Sequence, residues 1–197
     1  MKTRWIVLIL VAITLPGCIA SLHPLYTKDT IAFRNELLGN WDEYESSGEW
    51  KFEKLTNSNE LPGYALTHNS MGLFSKESKS ARYVARLVKL NEYYFLDITR
   101  WLSDEEQKIL GDLSPVLPTH TFAKIEITKN KLTLHFFDNE WLEQLFEQQK
   151  IRIKHETLED DVIVLTASSA ELQKFVLKYV NEEKAYIDAL VLIKKAS

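Results

Sequence analysis

The side chains able to do chemistry in this chain are few and scattered. Cys18 is the only cysteine, and the five histidines, His23, His68, His120, His135 and His155, stand singly. No two share the i, i+2 or i, i+4 spacing with which a strand or a helix turn builds a local metal site. Asp160 and Asp161 sit together in an acidic run that lacks the spaced oxygen donors of a calcium loop. There is no Gly-x-Ser-x-Gly and no glycine-rich phosphate loop. No catalytic, cofactor or metal residue is therefore expected, and the chain does not read as an enzyme. His120, in Pro118-Thr119-His120-Thr121 at the start of a strand, is the histidine best placed for a role. Acid–base work there needs a cleft in which it meets an acid such as Asp97 or Glu126, and a structural, hydrogen-bonded histidine is the simpler expectation.

The chemistry of Cys18 comes from what precedes it. Lys2 and Arg4 form a basic front, Trp5 to Leu15 an apolar run broken only by Thr14, and Leu15-Pro16-Gly17-Cys18 closes the segment. As a helix the run is about 16 Å long, roughly half a hydrocarbon core, so it suits a cleaved signal over residues 1–17 better than a membrane span. A single cysteine in an exported chain has no internal disulfide partner. Leu15-Pro16-Gly17-Cys18 resembles the lipobox of bacterial lipoproteins, with Pro16 where Ala, Ser or Thr is usual. The resemblance implies lipidation of Cys18, cleavage before it, and acyl chains of the palmitate kind that anchor the protein to a membrane of the bacterial cell envelope, the periplasmic face of the outer membrane ahead of the inner membrane.

Loss of the signal removes Lys2 and Arg4 from 24 basic residues and leaves the 28 acidic ones untouched. The formal charge moves from −4 to about −6, and that balance, with no evident run of Lys and Arg with interleaved aromatics to neutralise phosphates, does not suggest nucleic acid as a partner. An acidic body is not held to anionic lipid by its overall charge, so the acyl group must do the tethering.

Residues 18–36 read as a lipidated lead-in and 37–197 as a single β-rich globular domain. Within it, Asn40–Glu45 and Glu49–Leu55 predict a hairpin in which Gly48 takes positive φ. Pro62-Gly63 marks a turn before a strand at 64–68, and 69–80 reads as a polar loop, a lid over one barrel end. Strands follow at 82–90 and 93–99 about Asn91-Glu92, then a capping box at Ser103–Glu106 and a hairpin at 121–128 and 131–137. On 82–90, Tyr83, Ala85 and Leu87 share one face and Val84, Val88 and Leu90 the other, so both faces are covered. Asp138 or Asn139 caps a helix with Trp141, Leu142, Leu145 and Phe146 on one side. Ser168-Ser169-Ala170-Glu171 caps another that carries Leu172, Phe175, Val176, Tyr179 and Val180. Ile151–Leu158 and Val162–Ala167 are candidate strands, and 186–193 a last strand or helix.

Ser21-Leu22-His23-Pro24-Leu25-Tyr26-Thr27 together with Leu37-Leu38-Gly39-Asn40-Trp41 resembles a group of uncharacterised bacterial lipoproteins, which brings no activity with it. Gly39-Asn40-Trp41 is also similar to the Gly-x-Trp of lipocalin-like barrels, where the tryptophan closes the barrel floor; that likeness implies an apolar ligand.

The fold class expected is mainly β (α+β): an antiparallel up-and-down barrel, or a strongly curved sheet, of about eight strands with two or three flanking helices. The function expected is non-enzymatic binding at the envelope, of an apolar small molecule or a protein partner. Trp41, Trp50, Phe52, Tyr94, Phe136 and His120 are the candidate cavity lining. A structural or interaction lipoprotein with a filled core is the alternative, and an enzyme centred on His120 ranks last.

Overall fold

The computed structural model describes residues 17–56, 61–71, 78–101, 119–158 and 162–196. Residues 1–16 of the signal, residues 72–77 of the expected polar loop, the capping box at Ser103–Glu106 and the acidic run at Glu159–Asp161 lie outside them. Eight antiparallel strands close a barrel: β3 (Gly39–Glu43), β4 (Glu49–Lys54), β5 (Tyr64–Met71), β6 (Ser78–Leu90), β7 (Tyr93–Arg100), β8 (His120–Ile127), β9 (Lys131–Phe136) and β12 (Leu190–Lys194). Each pairs with the next in sequence, and β12 completes the ring by pairing with both β9 and β3. The chain between β9 and β12 leaves the wall. It forms helix α1 (Asn139–Glu147), short strands β10 (His155–Thr157) and β11 (Ile163–Leu165), and helix α2 (Ser169–Lys178).

Two apolar cores follow from strand alternation, because successive side chains point to opposite sides of the wall. The inner one holds Trp41, Trp50, Phe52, Leu66, Leu87, Leu96, Ile98, Leu134 and Leu192. The outer one lies between the wall and the helices and holds Val88, Leu90, Phe95, Phe122, Leu172, Phe175 and Val176. β6 and β7 feed both, as the two-faced pattern of residues 82–90 requires. Each large apolar side chain taken out of water contributes about 1.5–3 kcal/mol, so a wall covered on both faces is doubly supported.

The lead-in is part of this architecture. β1 (Ala20–Ser21) is wedged where β8 and β9 part company: it pairs antiparallel with His120 and Thr121 and parallel with Val164 and Leu165, while β9 takes up β8 from Ala123 onward. Ile19 and Leu25 are buried in the outer core, and β2 (Ile31–Ala32) lies along β6. A 3₁₀ turn at Asn35–Leu37 then delivers the chain to Gly39, whose φ of 121° is open to glycine and strained for other residues.

Four expectations change in detail. Within the polar stretch 69–80, Asn69, Ser70 and Met71 extend β5 and pair with Ser80, Lys79 and Ser78 of β6, since backbone ladders need no apolar side chains. Gly48 has no positive φ, and its constraint is steric: a Cβ there would overlap the Glu43 carboxyl group. The strands expected at 151–158 and 162–167 shorten to three residues each, and 186–193 resolves into β12. Asn91 does adopt positive φ, 53°, in the β6–β7 turn. Ser168 and Glu171 complete their capping box, and the Asp138 side chain accepts from the Glu140 amide at the start of α1. Among the described residues no helix is long and apolar enough to cross a membrane.

Candidate functional site

Among the described residues, polar clusters interrupt the apolar design on each side of the wall. Along β3, Gly39, Trp41 and Glu43 alternate onto the inner face, so Glu43 stands inside the barrel at the end opposite the 3₁₀ turn. β4 and β5 place Trp50 directly across from His68. Glu43 Oε1 accepts from Trp50 Nε1 at 2.7 Å and lies 3.1 Å from His68 Nε2, while Oε2 accepts from the Ser46 hydroxyl. The Trp50 and His68 rings pack at 5.0 Å. Burial pushes the Glu43 carboxyl up, but the hydrogen bonds from Ser46 and Trp50 and the nearby His68 outweigh it and hold the group below its ordinary range. A groove of about 170 Å³ runs past this corner between the β3–β4 turn and Ala189–Val191.

The second cluster lies outside, under the lead-in. Asp97 is 1% exposed and uses both oxygens: Oδ1 sits 2.7 Å from His120 Nδ1 and Oδ2 accepts from the Leu25 amide at 2.7 Å. The His120 ring meets the edge of Tyr26, and the Arg86 guanidinium covers the Tyr26 ring at 5.0 Å. Burial raises the Tyr26 hydroxyl above its ordinary value; Arg86 pulls the other way and Asp97 adds to the rise. The histidine does meet the acid that the sequence left 23 positions away. Among the described residues its hydrogen bonds reach no nucleophile: Ser21, its cross-strand partner, gives its hydroxyl to the carbonyls of His23 and Leu165. Asp97 and His120 therefore form a clamp between the lead-in and the wall.

The expected cavity lining divides between these regions. Trp41, Trp50, Phe52 and Phe136 face inward and are 0%, 8%, 1% and 9% exposed. Tyr94 packs on the inner core at the other end, beneath Arg34 at 5.5 Å and Lys89 at 6.0 Å, and borders a groove of about 340 Å³ with Lys124 and Ile125. His120 stands on the outer face and does not join them. Cys18 is exposed and bridges Asp138, the residue that caps α1. Loss of hydration raises its thiol above the ordinary value against the pull of its own backbone, and Asp138 adds to the rise.

Glu43 and His68 were not singled out from sequence. The available signal was parity: each falls on the inward register of its strand, where a polar residue is unexpected. Among the described residues no group of three or more His, Cys, Asp or Glu is poised to hold a metal ion. Comparison with family models, curated proteins and solved structures finds no match to this chain.

Proposed function

We propose that the chain is a bacterial envelope lipoprotein, anchored through acylated Cys18, whose barrel works through its surface as a docking body and carries no apolar passenger. The observation supporting this is the packed state of the described interior: Trp41, Phe52, Leu66, Leu87, Leu96, Leu134 and Leu192 are each no more than 1% exposed. An eight-stranded barrel has an interior that side chains just fill or that one small ligand can share, and here bulky residues occupy it. The place of Cys18 agrees with the anchor. Cys18 is an exposed residue, while the next residues are already fastened, Ile19 N to the Phe137 carbonyl and β1 to β8 and β11. Acyl chains on Cys18 leave the body with no slack, which keeps the domain at the membrane surface; two or more chains make such an anchor stable where one does not.

Intact mass tests both parts. Protein extracted from its own membranes is weighed denatured and then under native conditions, beside a Cys18→Ala variant. The expected denatured mass is that of residues 18–197 plus acyl chains, with the acyl mass and membrane retention lost in the variant. The expected native mass equals the denatured one. A non-covalent excess the size of a lipid restores the carrier reading, and an unacylated chain overturns the anchor.

A further inference from the structure

We propose that the groove between α2 and the extended segment before β10 binds the headgroup of an anionic phospholipid and so sets the orientation of the barrel on the membrane. The inference rests on the anchored reading above. Its origin is a local pattern: Ile151, Arg152, Ile153 and Lys154 alternate, and the two isoleucines are partly buried against the outer core while the two cations are exposed. Gln149, at a φ of 53°, turns the chain back after α1 so that this segment runs beside α2. The result is a groove of about 250 Å³ with Ile151, Ile153, Phe175 and Tyr179 as apolar walls and Arg152, Lys174 and Lys178 around it.

The charge is the opposite of the chain's own. In a body of about −6, this groove gathers three cations with Lys150 and Lys154 adjoining, against Glu171 alone. Glu171 is engaged in its capping box, accepting from the Ser168 amide at 2.9 Å and hydroxyl at 2.7 Å. Among the described residues none of Arg152, Lys174 and Lys178 enters a close ion pair, although Lys178 Nζ lies over the Tyr179 ring at 4.7 Å and, after the Ser168 hydrogen bonds, Lys154 and Lys174 help to hold the Glu171 carboxyl below its ordinary range. A groove of about 250 Å³ has room for a phosphoglycerol.

Continuity with the anchor selects a membrane as the source of that anion. Cys18 bridges Asp138 at the start of α1, and one turn on Trp141 packs against Phe175 at 6.3 Å and Tyr179 at 4.9 Å, both of which line the groove. Each basic side chain near an anionic surface is worth about fivefold in affinity, weak alone and sufficient once a tether supplies a high local concentration.

The test omits the lipid anchor, so its outcome does not depend on acylation. The mature chain with Cys18→Ala is sedimented with vesicles of phosphatidylglycerol and phosphatidylcholine, and with pure phosphatidylcholine, at low salt. The expected result is binding to the anionic vesicles at least tenfold tighter than to the neutral ones. Lys174→Glu with Lys178→Glu should abolish that preference, while Lys129→Glu with Lys131→Glu, exposed in the β8–β9 hairpin, should keep it. Circular dichroism and thermal midpoints confirm that both variants fold. No preference for anionic vesicles, an equal loss in both double variants, or saturable binding of inorganic phosphate without vesicle binding overturns the proposal. Failure of the anchor is read separately, from the intact mass.

Discussion

Asp97 Oδ1 lies 2.7 Å from His120 Nδ1 on the outer face of the barrel, and the other oxygen of the same carboxylate accepts the Leu25 amide. One buried acid thus joins β7, β8 and the lead-in. Asp97→Ala leaves a buried amide and an imidazole without their acceptor, at a cost of about 3–5 kcal/mol. Asp97→Asn keeps one carbonyl oxygen and costs less, about 1–2 kcal/mol. Urea unfolding measures both, and a loss under about 0.5 kcal/mol for the alanine variant would show that the clamp is not structural.

The Glu43 carboxyl supplies an acid-sensitive corner. Its folded pKa is depressed below 4.5, despite the opposing effect of burial, by Ser46, Trp50 and His68. A depressed carboxylate contributes stability that is present above its unfolded pKa and lost as pH falls through the folded value. Glu43→Gln is therefore expected to destabilise the protein at pH 7 and to match the parent in acid, once both carry a neutral side chain. Unfolding free energies of the two proteins from pH 7 to pH 3 should converge on the acid side of 4.5. A constant gap across that range would assign the effect to packing.

Legibility in the sequence followed pattern length. The β6–β7 and β8–β9 hairpins carry six or more alternating positions each, and the α2 cap states its boundary in four residues, so these were readable. β1 and β2 are two residues long and have no period to read; β1 finds its place where β8 and β9 separate, and β2 along β6, so both pairings depend on the assembled barrel. The same holds for the clusters. Asp97 and His120 come together because β7 and β8 are neighbours, and Glu43, Trp50 and His68 because β3, β4 and β5 are. Pairing of consecutive strands creates both contacts, and no local spacing encodes them.

Tyr64 makes an alkaline prediction. Its hydroxyl accepts from the Arg34 amide at 2.7 Å and donates to the Arg34 carbonyl at 3.1 Å, with the ring stacked on Phe33 at 4.8 Å. Burial pushes its pKa up to about 12. The folded state then holds this proton more tightly than the unfolded chain, so stability is full below pH 10 and falls as pH rises towards 12. Tyr64→Phe loses the two bonds, at about 1–2 kcal/mol at pH 7, and removes that alkaline decline. Unfolding free energies of the two proteins measured from pH 8 to about pH 11 test it; parallel curves would place the decline elsewhere.

Trp41 tests how the barrel floor is held. Its ring is fully buried, its Nε1 donates to the Leu37 carbonyl at 2.9 Å, and Lys194 lies over the ring at 4.9 Å while donating to the Glu36 carbonyl at 2.9 Å. One indole therefore links the 3₁₀ turn, the first barrel strand and the last. Trp41→Ala should cost about 3–5 kcal/mol through the cavity alone, which any buried tryptophan would show. The linking role needs finer substitutions. Trp41→Phe keeps an aromatic face but abandons the Leu37 carbonyl, at about 1–3 kcal/mol, and Lys194→Met keeps the aliphatic stem while removing the charge. If the cation and the indole act together, the double variant loses less than the sum of the singles, by about 0.5–1 kcal/mol. Strict additivity would mean that β12 closes the ring through its backbone ladder and Leu192 alone, with Lys194 a surface side chain that happens to lie over the floor.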